Sequence, residues 1–268
     1  MFEKQLRSLK RRFHLAFPKK RVRRNDIEFD LDCRELVDYS IFLGGWERDT
    51  LDFIDSHVKP GFITVEAGAN VGAHTLLIAR QSGPDGVVHA IEPTQFARTK
   101  LLRNLGLNPE IEKRVHVHDF LISDRIEENP RREIRSSWPA KAKMTWNPKE
   151  TVSSPVTTID DLVAGQGLPR VDLIKIDIDG YDLRALRGAA RTIERFGPLI
   201  FVELSQNALE RVGDSVAGII EYLAGLGYAG FDTNGMIPLT TGNVIGRIGT
   251  RDSINGVFFP PGKEQPAS

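Results

Sequence analysis

The stretch VEAGANVGAHT, residues 65–75, limits what this chain can fold into more than any other. An apolar lead (Phe62, Ile63, Val65) reads as a buried strand. It breaks into Gly68, Asn70 and Gly72, then resumes as an apolar helix start at Leu76, Leu77, Ile78 and Ala79. Strand, glycine turn and helix is how a doubly wound α/β fold opens its cofactor crevice at the carboxyl end of the first strand. A dinucleotide site asks for G-x-G-x-x-G, whose second glycine lets a pyrophosphate approach the backbone. Asn70 holds that position here, and Glu66 stands at the strand's end. A carboxylate repels a phosphate and attracts a cationic amino acid. The turn therefore suits S-adenosylmethionine better than NAD.

A chain of 268 residues, 40% of them hydrophobic, has material for a sizeable core. Its formal charge is zero but unevenly spread. Residues 1–24 carry ten Lys or Arg against Glu3 alone, so the remainder is net acidic. Residues 1–25 thus read as a basic arm, with Phe2, Leu6, Leu9, Phe13 and Phe17 at helical spacing ahead of Pro18. Two readings are open for the arm: peripheral contact with an anionic membrane surface, or a solvated extension. No apolar run approaches the roughly 20 residues of a membrane span. FHLAF is too short for a signal-peptide core. Cys33 is the one cysteine, which rules out an intrachain disulfide and suits a reducing compartment. The expectation is a cytoplasmic protein, membrane-associated if the arm engages lipid.

Residues 26–60 read as an N-terminal cap, with IEFDLD alternating as a strand and WERDTLDFIDSHV as a helix. Residues 61–262 read as the main domain. Strands over 62–66, 87–93, 114–120, 171–179 and 199–204 alternate with helices over 73–81, 95–107, 181–196 and 209–226, as in a parallel sheet with crossover helices. Two late strands, near 228–231 and 254–259, point to a seven-stranded methyltransferase sheet rather than a two-halved dinucleotide fold. Residues 125–155 fit neither pattern and read as an irregular, strandless insertion carrying Trp138 and Trp146. Either those indoles stack on a sugar or another flat acceptor, with Arg131, Arg132, Arg135, Lys141 and Lys143 nearby for anions, or they pin a surface loop.

Candidate chemistry sits at the strand ends. Glu92 closes the second strand, where an acid accepts hydrogen bonds from both ribose hydroxyls of an adenosyl cofactor. Asp119 closes the third, placed for an adenine amino group, with Phe120 beside it. The fourth strand reads L-I-K-I-D-I-D-G, setting Ile174, Ile176 and Ile178 on one face and Lys175, Asp177 and Asp179 on the other. Three charges in one row of a buried strand must pair with one another or open into the crevice. Asp177 and Asp179 are then candidates to orient or deprotonate an acceptor hydroxyl, with Asp182 and Glu203 close by. Such carboxylates also suit Mg²⁺, a hard cation, although no diagnostic ligand spacing accompanies them. His74 opens the helix after the turn, placed for the cofactor's methionine part or for the acceptor. Thr75 follows it in the first helical turn. His116 and His118 read as packed groups. No zinc pattern, G-x-S-x-G elbow or phosphate loop is present in the sequence.

Taken in order, these segments resemble the FkbM-type methyltransferases from about residue 40 to 260. VEAGANVGAHT is similar to that family's D-x-G-A-N-x-G turn, and VVHAIEPTQFARTKLLRNLGLN to its ribose segment. SSPVTTIDDL is similar to its short helix entry before the fourth strand. VDLIKIDIDGYDLRALRGA resembles its K-I-D-x-E-G-x-E…L-x-G-A signature, and PLIFVEL its fifth strand. Glu66 replaces Asp and Asp179 replaces Glu, each keeping charge but changing reach by one methylene. The basic arm and residues 125–155 lie outside the resemblance.

The resemblance implies a Rossmann-like class I methyltransferase fold: a seven-stranded, mostly parallel sheet, helices on both faces, an antiparallel last strand. It also implies S-adenosylmethionine as donor and methylation of a hydroxyl on a sugar, glycan, glycolipid or secondary metabolite. Glu66, Gly68, Asn70, Gly72, Thr75, Glu92 and Asp119 are the expected cofactor residues. Asp177, Asp179 and His74 are the expected catalytic ones. The expected partner is a small-molecule or glycan acceptor, and not a nucleic acid. Two rivals remain at this stage: an NAD-dependent oxidoreductase, which Asn70 and Glu66 disfavour, and a catalytically silent methyltransferase-fold protein that binds a partner or membrane through its arm.

Overall fold

A computed structural model describes residues 18–127, 130–140 and 149–262. Residues 1–17 of the basic arm, and Lys141, Lys143 and Trp146, lie outside the described residues. The chain opens with β1 (Lys19–Arg24) and β2 (Ile27–Asp32), an antiparallel hairpin, followed by α1 (Leu36–Leu43) and α2 (Arg48–His57). The main domain begins with β3 (Ile63–Ala67), α3 (Ala73–Gln81), β4 (Val87–Ile91), α4 (Gln95–Gly106), α5 (Pro109–Glu112) and β5 (Val115–His118). Next come β6 (Leu121–Ile122), β7 (Arg132–Arg135), β8 (Lys149–Val152), β9 (Val156–Thr157), α6 (Ile159–Gly165) and β10 (Leu173–Ile176). The chain continues through α7 (Asp182–Arg187), α8 (Ala190–Phe196), β11 (Leu199–Leu204), α9 (Gln206–Glu210) and α10 (Val216–Gly225). It ends with β12 (Ala229–Asp232), β13 (Ile237–Pro238), α11 (Val244–Ile248) and β14 (Ile254–Phe259).

The main sheet runs β13-β12-β14-β11-β10-β3-β4-β5. β5, β4, β3, β10 and β11 are parallel, while β14 enters antiparallel between β11 and β12. This is the Rossmann-like class I methyltransferase order, with the two-residue β13 as an eighth strand on the edge. The reversal between β3 and β10 is the switch point, where crossovers to either side part and leave a crevice at the carboxyl ends. β3 and β10 are buried throughout, and β11 almost so, as strands covered on both faces must be. Ile174, Ile176, Ile200 and Val202 pack on one face with Leu183, Leu186, Ile219 and Leu223. Leu173, Phe201 and Val257 pack on the other with Leu76, Leu77, Phe53 and the hairpin residues Ile27, Phe29 and Leu31. The β1–β2 hairpin thus joins the last residues of the basic arm to the cap.

Four local expectations are corrected. The helix read over 181–196 breaks into α7 and α8 at Gly188, where a Cβ would lie 2.2 Å from the Ser123 carbonyl oxygen. The helix read over 209–226 is interrupted at left-handed Gly213, and Ser215 restarts it by accepting the Gly218 N–H at 3.1 Å. Residues 125–155 are not strandless: β7 and β8 pair antiparallel, and Ile134 and Val152 pack with Leu121 and Val156. The fourth strand ends at Ile176, so Asp177 and Asp179 lie beyond it.

Candidate functional site

Parallel pairing sets Lys175 of β10 directly beside Glu66 of β3, on the face that α3 covers. Neither side chain reaches solvent: Lys175 is 2% exposed and Glu66 fully buried. The Lys175 ammonium lies 3.7 Å from the Glu66 carboxylate and 3.4 Å from that of Asp177. Glu66 also accepts the Thr75 hydroxyl at 2.6 Å. Burial pushes the Lys175 ammonium down, but Asp177, Glu66 and Glu47 outweigh it and hold the group above its ordinary value. The ammonium stays charged. Glu66 and Thr75, read as cofactor residues, form a bonded pair beneath the turn, where the carboxylate balances Lys175.

Above them, residues 68–72 make the glycine turn. Gly68 has φ +91°, Asn70 +48° and Gly72 +89°, all left-handed. The Gly68 and Ala69 N–H groups both donate to the Ile91 carbonyl at 3.0 Å, tying the turn to β4. Glu92, at the end of β4, accepts the Asn70 N–H at 2.9 Å, the Thr94 N–H at 2.8 Å and the Thr94 hydroxyl at 2.5 Å. Three of a carboxylate's roughly four acceptor positions are taken, which leaves one for a ligand. Burial raises its pKa, against the pull of those bonds. Asn70 donates its side-chain N–H to the Ser136 carbonyl at 3.3 Å, while its Oδ1 is buried and has no partner among the described residues. The buried Ser136 hydroxyl is likewise unpartnered. Such orphans are costly unless a ligand or water completes them, so this turn fits a polar ligand seated over it.

Residues 132–140 and 149–152, from the stretch read as an irregular insertion, lie against the glycine turn and the start of α4. The Glu150 carboxylate accepts the Gln95 and Phe96 N–H groups at 2.9 Å, an anion capping the amino end of α4. Arg132 lies over the Tyr181 ring at 4.6 Å. Trp138 is half-buried, and its carbonyl accepts the Leu36 N–H at 2.8 Å, so the segment docks on the cap. Asp119, one residue past β5, is mostly exposed, with Arg98 3.7 Å away. Of the histidines read as packed, His118 is half-buried and contacts His89 at 3.0 Å, whereas His116 is exposed and stacks on His89 from the surface.

A ring of carboxylates surrounds Lys175. Asp177 is one-third exposed at the crevice. Asp182 is buried, accepts the Ile178 and Gly180 N–H groups, and is raised to about 7 by burial and by Asp177. Glu203 accepts the Ser253 hydroxyl at 2.6 Å, and burial, with Asp177, holds it well above the usual range. Asp179 does not share the row of Lys175 and Asp177, as its strand reading required. It sits exposed in a left-handed turn at φ +52°, because the strand has already ended. His74 is 94% buried, its Nε2 is 3.6 Å from Glu47, and burial together with Lys175 holds its pKa well below the ordinary value. A neutral imidazole is no proton carrier, and its buried Nε2 has no hydrogen-bond partner among the described residues. Sequence reasoning missed Glu47. It precedes α2 in a left-handed conformation, φ 37° and ψ 61°, and burial with Asp177 raises it to about 7. Among the described residues no group of three or more His, Cys, Asp or Glu is arranged to hold a metal ion, so the Mg²⁺ expectation finds no support.

These raised acids fix the sign of a pH effect. The folded chain keeps protons on Glu47 and Asp182 until about pH 7, whereas the unfolded chain releases them near 4. Where the folded state binds more protons, stability falls as pH rises. Melting temperature is expected to be higher at pH 5.5 than at pH 8, and Asp182→Asn is expected to flatten that slope. A wild-type melting temperature that climbs over this interval would contradict the assignment.

The described residues contain no helix long and apolar enough to cross a membrane. The family model for the methyltransferase FkbM domain matches residues 66–229, more than half of the chain. No curated protein matches it. Among solved structures, methyltransferase FkbM from Methylobacillus flagellatus is similar at 18% identity and TM-score 0.47, over 79% of this chain and 47% of that one. This chain thus spans about half the length of that protein. Precorrin-6y C5,15-methyltransferase from Geobacter metallireducens is similar at 13% identity and TM-score 0.44, over 80% and 88% of the two chains. The family match, over the glycine turn, the Glu92 strand end and the Lys175 strand, shows that this chain belongs to the FkbM methyltransferase family.

Proposed function

We propose that this protein is an S-adenosylmethionine-dependent O-methyltransferase acting on a hydroxyl of a sugar, glycan, glycolipid or secondary metabolite. The carrying observation is the excess of carboxylates around one buried lysine. Glu47, Glu66, Asp177, Asp182 and Glu203 face Lys175 or one another, and four of them are raised by burial and mutual repulsion. A donor with a sulfonium and an ammonium relieves that repulsion, while a diphosphate adds to it. The preference belongs to the whole ring and not to Glu66 alone.

In this reading, the turn from Gly68 to Gly72 holds the donor, with Asn70 offering its unpartnered oxygen. Glu92 takes a ribose hydroxyl, and Asp119 the adenine amino group. The bound donor supplies an already activated methyl group. The chain's task is then alignment, which is worth about 7–11 kcal/mol when reacting atoms are held in line. Asp177 orients the acceptor hydroxyl at the mouth, itself 3.4 Å from the Lys175 ammonium. Residues 132–140 and 149–152 keep water out from above.

Calorimetry with S-adenosylmethionine and with NAD tests this directly. Only the sulfonium donor is expected to bind, and Glu92→Ala is expected to weaken it about tenfold or more, the worth of a hydrogen bond to a charged group. Asp177→Asn is expected to keep donor affinity and lower turnover. Uptake of NAD with no heat from the sulfonium donor would overturn the proposal.

A further inference from the structure

A cavity of about 710 Å³ opens beside the crevice, between α2, the carboxyl ends of β11 and β12 and the amino end of β14. That volume suits a small ligand. Its wall is polar, with Asp49, Asp52, Glu203, Ser253 and Asn255 contributing, and Glu47 belongs to the same wall. Glu47 also reaches the other way, to His74 Nε2 at 3.6 Å, in the first turn of the helix that follows the glycine turn. That contact places Glu47 against both spaces. Its carboxylate is held: the Thr50 hydroxyl donates to it at 3.2 Å and the Asn255 amide at 3.4 Å, and Asn255 also donates to Thr50 at 2.9 Å. Its backbone is left-handed, a conformation that costs a non-glycine residue about 1–3 kcal/mol and collects at functional sites.

We propose that Glu47 is a catalytic residue, which closes the inner end of an acceptor cavity and takes the proton of the acceptor hydroxyl. The inference rests on the donor reading above. The oxygen's electron pair forms the new bond to the methyl carbon, the carbon–sulfur pair stays on sulfur, and the O–H proton passes to a Glu47 oxygen. Asp177 is the weaker candidate for that step, since its carboxylate is bound to the Lys175 ammonium at 3.4 Å. The groups facing Glu47 are Lys175 and Asp177 from the end of β10, neutral His74 from α3, Asp49 and Thr50 from α2, and Asn255 from β14. Glu203 shares its cavity. Burial and Asp177 raise Glu47 to about 7, where a carboxylate both accepts and returns a proton near neutral pH. The wall is rich in carboxylates (Glu47, Asp49, Asp52, Glu203 and Asp232), and Arg251 lies 4.0 Å from Asp232, so a neutral polyol suits it better than a phosphate or uronate.

The test is calorimetry of S-adenosylmethionine on the full chain at pH 7, in phosphate and in Tris, whose protonation enthalpies differ. The sulfonium charge should lower the Glu47 pKa, so wild type is expected to release part of a proton on binding. Glu47→Gln is expected to bind the donor while losing at least half of that release. Thr50→Val removes a bond that favours the charged form, so the pH of maximal release is expected to move upward. With a tritiated methyl donor and neutral methyl glycosides set against matching uronates, Glu47→Gln is expected to lower kcat about a hundredfold, leave the donor KM within a few fold, and abolish the rise of rate with pH. Unchanged proton release in Glu47→Gln, or undiminished kcat, overturns the inference. If no glycoside is methylated, the proton count decides alone. Absence of donor heat in wild type removes the donor reading itself, a distinguishable failure.

Discussion

Gly68→Ala is expected to leave little folded protein and no donor binding. A Cβ at this position would lie 1.9 Å from the Asp177 carbonyl oxygen and 2.8 Å from its carbonyl carbon. Both are backbone atoms at the end of the central strand, where Asp177 N–H donates to the Ala67 carbonyl at 3.0 Å, so neither strand has room to yield. The φ of +91° adds strain of its own for any side chain. Together these place the substitution among the rare ones costing on the order of 4–5 kcal/mol, a large part of a domain's usual 5–15 kcal/mol. Gly45→Ala is the matched control, since a Cβ there meets nothing within 4 Å. Denaturant melts and donor calorimetry on the two variants check the prediction. Native melting with intact donor affinity in Gly68→Ala would show that the turn tolerates a backbone shift which this geometry denies.

The features legible in the sequence are those whose meaning is local. Gly68, Asn70 and Gly72 announce a left-handed turn because few other residues populate that conformation. Lys175 and Asp177 announce a site because two charges in an apolar strand need partners. The mostly parallel sheet was legible in the run of apolar segments and the two late strands. What was hidden depends on distant packing. Glu47 lies far from Asp177 in sequence, and only the cap's docking sets it beside His74 and Asn255. Glu66 looked open to a ligand because nothing local shows that β10 pairs Lys175 directly beside it. Asp179 seemed to share a face with Asp177 until the strand ended at Ile176. REIR and KETV carry one apolar residue each, Ile134 and Val152, too few to mark a hairpin, though backbone pairing and a small cluster with Leu121 and Val156 make one.

Lys175→Met is expected to destabilise the fold by about 3–5 kcal/mol, the usual result of removing one partner from a buried ion pair. Methionine nearly fills the space, so the loss reports charge rather than volume. Left alone, Glu66 has the Thr75 hydroxyl as its one remaining side-chain partner, and Asp177 loses its counter-ion. The pH dependence separates this from a packing defect. Wild-type Lys175 has a raised pKa, so its contribution is complete below the unfolded value of about 10.4 and disappears only at higher pH. In the variant the Glu66 carboxylate rises further above its unfolded value. The penalty therefore grows from about pH 4 upward and shrinks on acidification. The variant is expected to approach wild-type stability near pH 5 and to fall furthest behind at pH 8. Lys175→Met combined with Glu66→Gln is expected to recover part of the loss, because the second change removes the orphaned charge. A deficit that is the same at pH 5 and pH 8, with no gain in the double variant, would mean that the lysine is there for its carbon chain and that the carboxylate ring was never charged around it.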